Sequence, residues 1–285
     1  MKTLKQITIL VLLLGTTVFV NGQIRRTVHG NGNVIKEERT AGSFSGIKAS
    51  TGIDVYLSQG DKMSITVEAD ENLHEFIQTE VSNGTLKIYS EVNIRDAEMK
   101  RVYVTMKEIL SVSTTSAGDI IGETPVKTDN LKLSASSAGD IKLEVYAKNI
   151  EIDVSSSGDL SLSGEVDMMD ADLSSAGDLN AYNLKVREAR ISVSSAGDAD
   201  IYVTERLTAH ASSAGDVNYK GDPEYIDAHS SSAGGVHKKY LLPYIYYPYY
   251  CKPSGAVSDG FFLPLLSLLN SENNHGNERK YQSQL

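Results

Sequence analysis

The chain has 285 residues, a formal net charge of −10 at pH 7, no tryptophan and one cysteine, Cys251. The acidic balance argues against a nucleic-acid partner, because phosphates are met by basic patches. A single cysteine excludes a disulfide framework and a cysteine metal cluster, and the length suits one large β domain.

Residues 1–22 read as a secretory signal peptide. Lys2 and Lys5 precede an apolar run from Ile7 to Val20, and Val20 and Gly22 supply small residues for cleavage before Gln23. The run is short for a membrane span of roughly 20 residues, so no transmembrane anchor is expected after cleavage. No cysteine stands at the cleavage site, so no lipoprotein anchor is expected either. The expected destination is the periplasm, the outer surface or the medium.

Residues 24–110 alternate apolar and polar side chains: Ile53, Val55, Leu57; Ile65, Val67; Leu86, Ile88; Val102, Val104. That period of two marks half-buried strands. Gln59-Gly60-Asp61 and Asn83-Gly84 read as turns between them. Leu73 and Ile77, four apart, suggest a short helical turn within Asp70 to Gln78. This stretch is expected to supply less regular first coils and a cap.

From 111 to 239 the chain repeats itself. Ser-Ser-Ala-Gly-Asp or a close variant ends at Asp119, Asp140, Asp159, Asp178, Asp198, Asp216 and Gly235. The motif glycines Gly118, Gly139, Gly158, Gly177, Gly197, Gly215 and Gly234 are 21, 19, 19, 20, 18 and 19 residues apart. A fixed period near twenty is that of a solenoid, one coil per repeat. Within one coil, Ile150, Ile152 and Val154 alternate with Glu151 and Asp153, and Leu160 and Leu162 follow the corner. Two short strands meeting at a glycine corner fit an all-β, parallel β-helix with coils of about 19–20 residues. Ala135, Ala171 and Ala199 at in-facing positions suggest a thin core. The motif glycine is expected to take positive φ at the corner, and the aspartate to bond nearby amides as in an Asx turn.

Residues 240–285 break the pattern. Six of the eleven residues from Tyr240 to Tyr250 are tyrosine, and four of the six prolines (Pro243, Pro248, Pro253, Pro264) lie here. The segment reads as an atypical Tyr/Pro-rich tail, a disordered extension or the product of a shifted reading frame rather than a sticky functional tail.

The sharpest candidate binding site is the aspartate row Asp119, Asp140, Asp159, Asp178, Asp198 and Asp216. Stacked in register, these carboxylates would stand about 4.8 Å apart, a spacing that calcium or another cation could neutralise. Repeated turn chemistry produces the same row without any ligand. The serine row, by the same logic, is either a hydroxyl ladder or a polar face for an extended polysaccharide. The six histidines (His29, His74, His210, His229, His237, His275) are scattered and read as surface residues; without a His-x-x-x-His pair they suggest no zinc site. No Gly-x-Ser-x-Gly motif supports a serine hydrolase, and the lack of tryptophan leaves a sugar-cleaving groove short of aromatic platforms.

Together these pieces resemble the head GIN domain family of exported bacterial proteins, described as auto-transporter adhesins. The resemblance rests on Gly30-Asn31-Gly32-Asn33-Val34, Glu38-Arg39, Phe44-Ser45-Gly46-Ile47 and Gly52-Ile53-Asp54-Val55-Tyr56-Leu57-Ser58-Gln59-Gly60. Asp70-Glu71-Asn72-Leu73, Asn83-Gly84-Thr85-Leu86-Lys87-Ile88 and the serial Ser-Ala-Gly-Asp coils complete it. It spans roughly residues 28–239 and implies a right-handed β-helix without known catalytic residues. The expected domain is therefore 23–239, and the expected role a non-catalytic binding module for polysaccharide or cell-envelope proteins. The alternatives are a scaffold that stacks through coil edges and a β-helix carbohydrate-active enzyme. Oligomeric state is not legible.

Overall fold

Period-two segments joined by corners every 18 to 21 residues force each strand to lie beside its own copy in the next repeat. The computed structural model describes residues 25–240. Residues 1–24, which include the expected signal peptide, and the tail from 241 onward lie outside the described residues. In chain order the strands are β1 (Thr27–His29), β2 (Val34–Arg39), β3 (Gly46–Ala49), β4 (Asp54–Gln59), β5 (Ser64–Asp70), β6 (Ile77–Ser82) and β7 (Thr85–Ser90). There follow β8 (Asn93–Arg95), β9 (Lys100–Met106), β10 (Ser111–Thr115), β11 (Asp119–Gly122), β12 (Val126–Ser136) and β13 (Asp140–Ser155). The last are β14 (Asp159–Leu173), β15 (Asp178–Val193), β16 (Asp198–Ala211), β17 (Asp216–Lys220), β18 (Tyr225–Ser230) and β19 (Gly235–Lys238). This is an all-β parallel solenoid of about seven turns.

Each coil starts at the motif aspartate, runs along one face, bends, and returns along a second face into the next corner. The Asp face stacks β9, β4, β11, the first parts of β13 to β16, then β17 and β19. The return face stacks β7, β3, β10, the last parts of β12 to β16, then β18. The sequence suggested two short strands per coil. The structure instead has one long bent strand, as in β13, whose buried side chains change parity at the bend. Ile141, Leu143 and Val145 face inward before it, and Ile150, Ile152 and Val154 after it.

The corner differs from the sequence expectation. Positive φ falls on the second serine and the alanine, as at Ser137 (54°) and Ala138 (59°), and on the equivalent pair of all seven corners. None of the motif glycines is left-handed. Gly139 N donates to Ser136 O at 3.2 Å, closing a four-residue turn with both central residues left-handed, the type I′ arrangement. Each non-glycine residue there gives up about 1–2 kcal/mol. Stacking offsets this: Ala138 N donates to Ser156 O at 3.2 Å, and Asp159 N to Gly139 O at 3.2 Å. The glycine is needed for space. A Cβ at Gly158 would sit 2.7 Å from the carbonyl carbon of Ala135 and 2.8 Å from Ser136 N.

The first part of the chain is the cap, but its spatial order departs from its chain order. The coil β3–β4 lies between β7 and β9 on one side and β10 and β11 on the other. The chain passes outward through antiparallel pairs β2–β5, β5–β9 and β6–β7 before returning. The expected helical turn is a single 3-10 turn, Glu71–Leu73, and Ile77 already begins β6. Asn83 (52°) and Gly84 (73°) make the tight hairpin expected of that pair. The fully buried Asp70 accepts bonds from Gly32 N (2.8 Å) and Met99 N (3.0 Å), while Asn31 N donates to Asn72 Oδ1 (3.0 Å). Two of the sequence segments that carry the family resemblance thus interlock.

Candidate functional site

The register brings every residue of the expected aspartate row together. Asp119, Asp140, Asp159, Asp178, Asp198 and Asp216 are successive partners, and Gly235 ends the column. One further acid was missed. Pairing Val55 with Ile120 sets Asp54 opposite Asp119, and Arg101 stands opposite Asp54 on its other side. Its corner, Ser50-Thr51-Gly52-Ile53, is a degenerate copy of the motif: Thr51 (59°) and Gly52 (68°) are the left-handed pair and Gly52 N donates to Ser116 O, but the Ala-Gly that marks the other corners is absent.

Burial, then repulsion from Asp119 and Asp159, raises the Asp140 carboxyl above the usual aspartate range. Burial followed by Asp159 does the same for Asp178. At Asp198 burial leads, then Asp178 and Asp216. Asp54 is raised by burial and Asp119, against the pull of Lys100 and Arg101. The column is therefore a line of mutually repelling acids with a cationic start. Its geometry is single file, one carboxylate per coil. Among the described residues no group of three or more His, Cys, Asp or Glu side chains converges to hold a metal ion. Calcium takes six to eight oxygens, so a cation here would draw most of its ligands from water or a bound partner.

The serine row forms the rim of a second feature. Ser136 Oγ bonds Thr115 Oγ1 at 3.2 Å, one rung of the expected hydroxyl ladder. On the return face, Ser134, Asp153, Ser155, Asp172, Ser192 and Ser194 line a shallow polar hollow of about 320 Å³.

A third feature was not read from the sequence. It is a groove of about 710 Å³ on the return face, spanning six successive coils, from Leu110 just before β10 across β12 to β16 as far as Thr208. Six rungs at about 4.8 Å give a length near 24 Å. Leu131, Ile150 and Met169 underlie the groove with their side chains turned into the core, and Leu110 and Met168 project into it, 39% and 48% exposed. Outward side chains change from coil to coil: Lys132, Glu151, Asp170, Arg190 and Thr208 form one column. Asn130, Asn149, Met168, Glu188 and Arg206 form the next. Lys132 pairs with Glu151 at 2.5 Å and Arg206 with Glu188 at 3.8 Å. Asp170 and Arg190 are exposed register neighbours at the groove's centre.

Of the described histidines, His29, His210, His229 and His237 are exposed as expected, and one differs. His74 is buried, its Nε2 near Ile35 O and Ala69 O and its Nδ1 3.2 Å from Glu37. It plugs the cap between β2 and the 3-10 turn. His210 and His229 are register partners with rings stacked at 5.4 Å. Their separation of 19 residues, one coil period, was the available signal.

A family model described as "Putative auto-transporter adhesin, head GIN domain" matches residues 43–223. No curated protein matches the chain. Among solved structures, a "putative adhesin" from Bacteroides fragilis NCTC 9343 is 21% identical, with a TM-score of 0.70 over 74% of this chain and 100% of that one. A "putative lipid binding protein" from Parabacteroides distasonis ATCC 8503 is 26% identical, with a TM-score of 0.62 over 75% of this chain and 100% of that one. A "putative adhesin" from Parabacteroides merdae ATCC 43184 is 20% identical, with a TM-score of 0.60 over 75% of this chain and 100% of that one.

Proposed function

The chain belongs to the head GIN domain family, and from that premise we propose that it is an exported, non-catalytic binding module of adhesin type. Its ligand is an extended polysaccharide or envelope protein lying along the return-face groove. The observation that carries this reading is the groove itself, crossing six coils between charged columns of mixed sign, with Leu110 and Met168 exposed within it. Such a surface meets an extended chain at regular intervals. Met168 offers apolar contact, and Arg190 and Asp170 offer hydrogen bonds to hydroxyls or charges. The family and its structural relatives are described as adhesins rather than enzymes, which supports the non-catalytic part. Among the described residues no helix is long and apolar enough to cross a membrane.

The aspartate column is proposed as an auxiliary, cation-bridged contact. Binding to a panel of bacterial polysaccharides, measured with calcium and again with chelator, tests both parts. Met168→Asp and Arg190→Ala should each weaken binding about fivefold or more. Binding indifferent to both variants would remove the groove from the reading. Loss in chelator together with loss in Asp159→Asn and Asp178→Asn would bring the column in.

A second reading has the groove receive an acyl chain against Met168 and Leu110. It is favoured by the exposure of Met168 and Leu110 and by the lipid-binding description of the relative that is 26% identical. Retention on lipid vesicles, lost in Met168→Asp but not in Arg190→Ala, would select it.

A further inference from the structure

A parallel ladder makes neighbours of two side chains that are one coil period apart in sequence. A helix does the same at a separation of about four residues, the spacing on which histidine metal motifs are usually sought. Among the described residues only His210 and His229 meet in this way, as register partners on β16 and β18. They end an outward column of the return face that runs Ser134, Asp153, Asp172, Ser192, His210, His229. Their rings lie face to face, with centroids 5.4 Å apart and planes 7° from parallel. Both are exposed, the His229 side chain by 69%. Nε2 of His229 lies 2.9 Å from Asp227 Oδ1. Asp227 stands two residues earlier on the same outward side of β18, opposite Thr208.

We infer that His210 and His229 form a two-histidine site for a late divalent transition metal such as zinc, nickel or copper. Imidazole nitrogen is a donor these ions favour, whereas calcium takes oxygen. One ion bonded to two imidazoles at about 2.0–2.1 Å holds their nitrogens about 3 Å apart. Adjacent strands already lie about 4.8 Å apart, so a turn of each exposed ring about its side-chain torsions reaches that spacing without moving the backbone. Asp227 prepares one ring. With the Nε2–H of His229 donated to the carboxylate, its Nδ1 carries the lone pair. This is the carboxylate–histidine–metal arrangement, in which an acid orients the ligand and raises its basicity. The ladder between β16 and β18 prepares the other, by holding His210 one rung away.

This site is separate from the aspartate column, which runs along the other face. It uses two protein ligands where an enclosed zinc site uses four, so the ion keeps open positions. Thr208, the last residue of the groove, precedes His210 by two on the same side of β16. An ion here therefore stands at the far end of the groove. Two other histidines face an acid without a second imidazole, His29 beside Asp96 at 2.7 Å and His237 beside Asp216 at 3.9 Å. They serve as internal controls.

The test uses the untagged chain, since a histidine tag takes up the same ions, and needs no polysaccharide, so its outcome is independent of the groove reading. Zinc titrated by calorimetry should bind. His210→Ala and His229→Ala should each weaken that binding about tenfold or more, Asp227→Asn about tenfold, and His237→Ala less than about twofold. With one equivalent of copper(II), electron paramagnetic resonance should show two imidazole nitrogens on the ion in the parent and one in either His210→Ala or His229→Ala. Zinc should raise the melting temperature of the parent more than that of these variants, because the ion ties two coils together. Circular dichroism establishes that each variant is folded. Zinc affinity unchanged in both variants, or a nitrogen count that does not fall, would leave the pair as packed rings and overturn the inference. Equal loss in His237→Ala would place the ion elsewhere and overturn it as well.

Discussion

Replacing Gly158 by alanine isolates the physical reason for the repeated glycine. The added Cβ would stand 2.7 Å from Ala135 C and O, where ordinary contact begins at 3.4 Å. The obstacle is backbone, so relief requires the two coils to part locally by about 0.7 Å, the difference between those two distances. Two ladder bonds flank the site, Asp159 N to Gly139 O and Ala138 N to Ser156 O, both 3.2 Å. Stretched by that amount they leave hydrogen-bonding range. Two bonds at about 1 kcal/mol each, plus about 2 kcal/mol of overpacking, less about 0.7 kcal/mol from a stiffer unfolded chain, give about 3 kcal/mol of destabilisation.

The neighbouring residue supplies the control. Ser157 holds φ of 58°, so Ser157→Gly removes about 1–2 kcal/mol of left-handed strain against about 0.5–1 kcal/mol of added unfolded-state entropy. It should be neutral or stabilising by up to about 1.5 kcal/mol. Urea unfolding followed by circular dichroism, with slopes compared between variants, reads both. If Gly158→Ala lies within about 1 kcal/mol of the parent, or Ser157→Gly destabilises by more than that, the corner does not work as described.

Leu160, 1% exposed and in register with Ile141 and Leu179, should not tolerate aspartate; Leu160→Asp buries an unpartnered carboxylate and should abolish the cooperative unfolding transition in calorimetry. Asp70→Ala strands the amides of Gly32 and Met99 and should destabilise the cap by about 2–4 kcal/mol, seen as faster hydrogen exchange across β2 and β9 than in the parent. The column acids Asp54, Asp140, Asp178 and Asp198 have raised folded pKa values, so the folded state holds their protons more tightly than the unfolded state. Their contribution is therefore least favourable at neutral pH and improves as pH falls through the raised values toward the ordinary aspartate value. Glu68 and Asp70 are lowered, and their stabilisation is lost at the acidic end. Melting temperature should rise modestly as pH falls from 7 into the raised aspartate range and fall again at the acidic end, where the Glu68 and Asp70 contributions are lost. Asp178→Asn should stabilise by about 0.5 kcal/mol at pH 7 and flatten that rise; an unchanged profile would mean the column does not repel.

Much of the solenoid was legible because stacking obliges each coil to repeat its in-facing positions. Ile141, Leu160, Leu179 and Ala199 were readable as one column from their place after each aspartate, and all four are buried. The mid-coil bend was not legible. It has no regular glycine, only the change of parity between Val145 and Ile150, and a lapse in alternation looks the same at a bend, a bulge or a loop. The left-handed serine and alanine were misassigned to glycine, because side-chain identity reports the cheapest conformer of an isolated residue. Here the ladder between coils holds two dearer ones. Asp54 and Arg101 escaped because the cap folds back over the first coil, which makes chain order a poor guide to spatial order there.

The groove escaped for a reason that bears on where function lies. Corner positions are nearly invariant from coil to coil because the same backbone turn is built seven times, so their uniformity follows from the fold alone. The aspartate column shares that origin, whatever it contacts. The return-face columns carry no such constraint. Successive coils place lysine, glutamate, aspartate, arginine and threonine at one structural position, and asparagine, methionine, glutamate and arginine at the next. A solvated strand face needs only polarity, which any of these residues supplies. An exposed methionine among paired charges is less easily ascribed to solubility. In a solenoid, then, the positions that repeat describe how the rod is held together, and the outward positions that vary are where a ligand could be told apart from another. Exchanging Arg190 and Asp170 tests that distinction. Stability should stay within about 0.5 kcal/mol, while ligand preference changes; a preference untouched by the exchange would return the groove to the solvated surface.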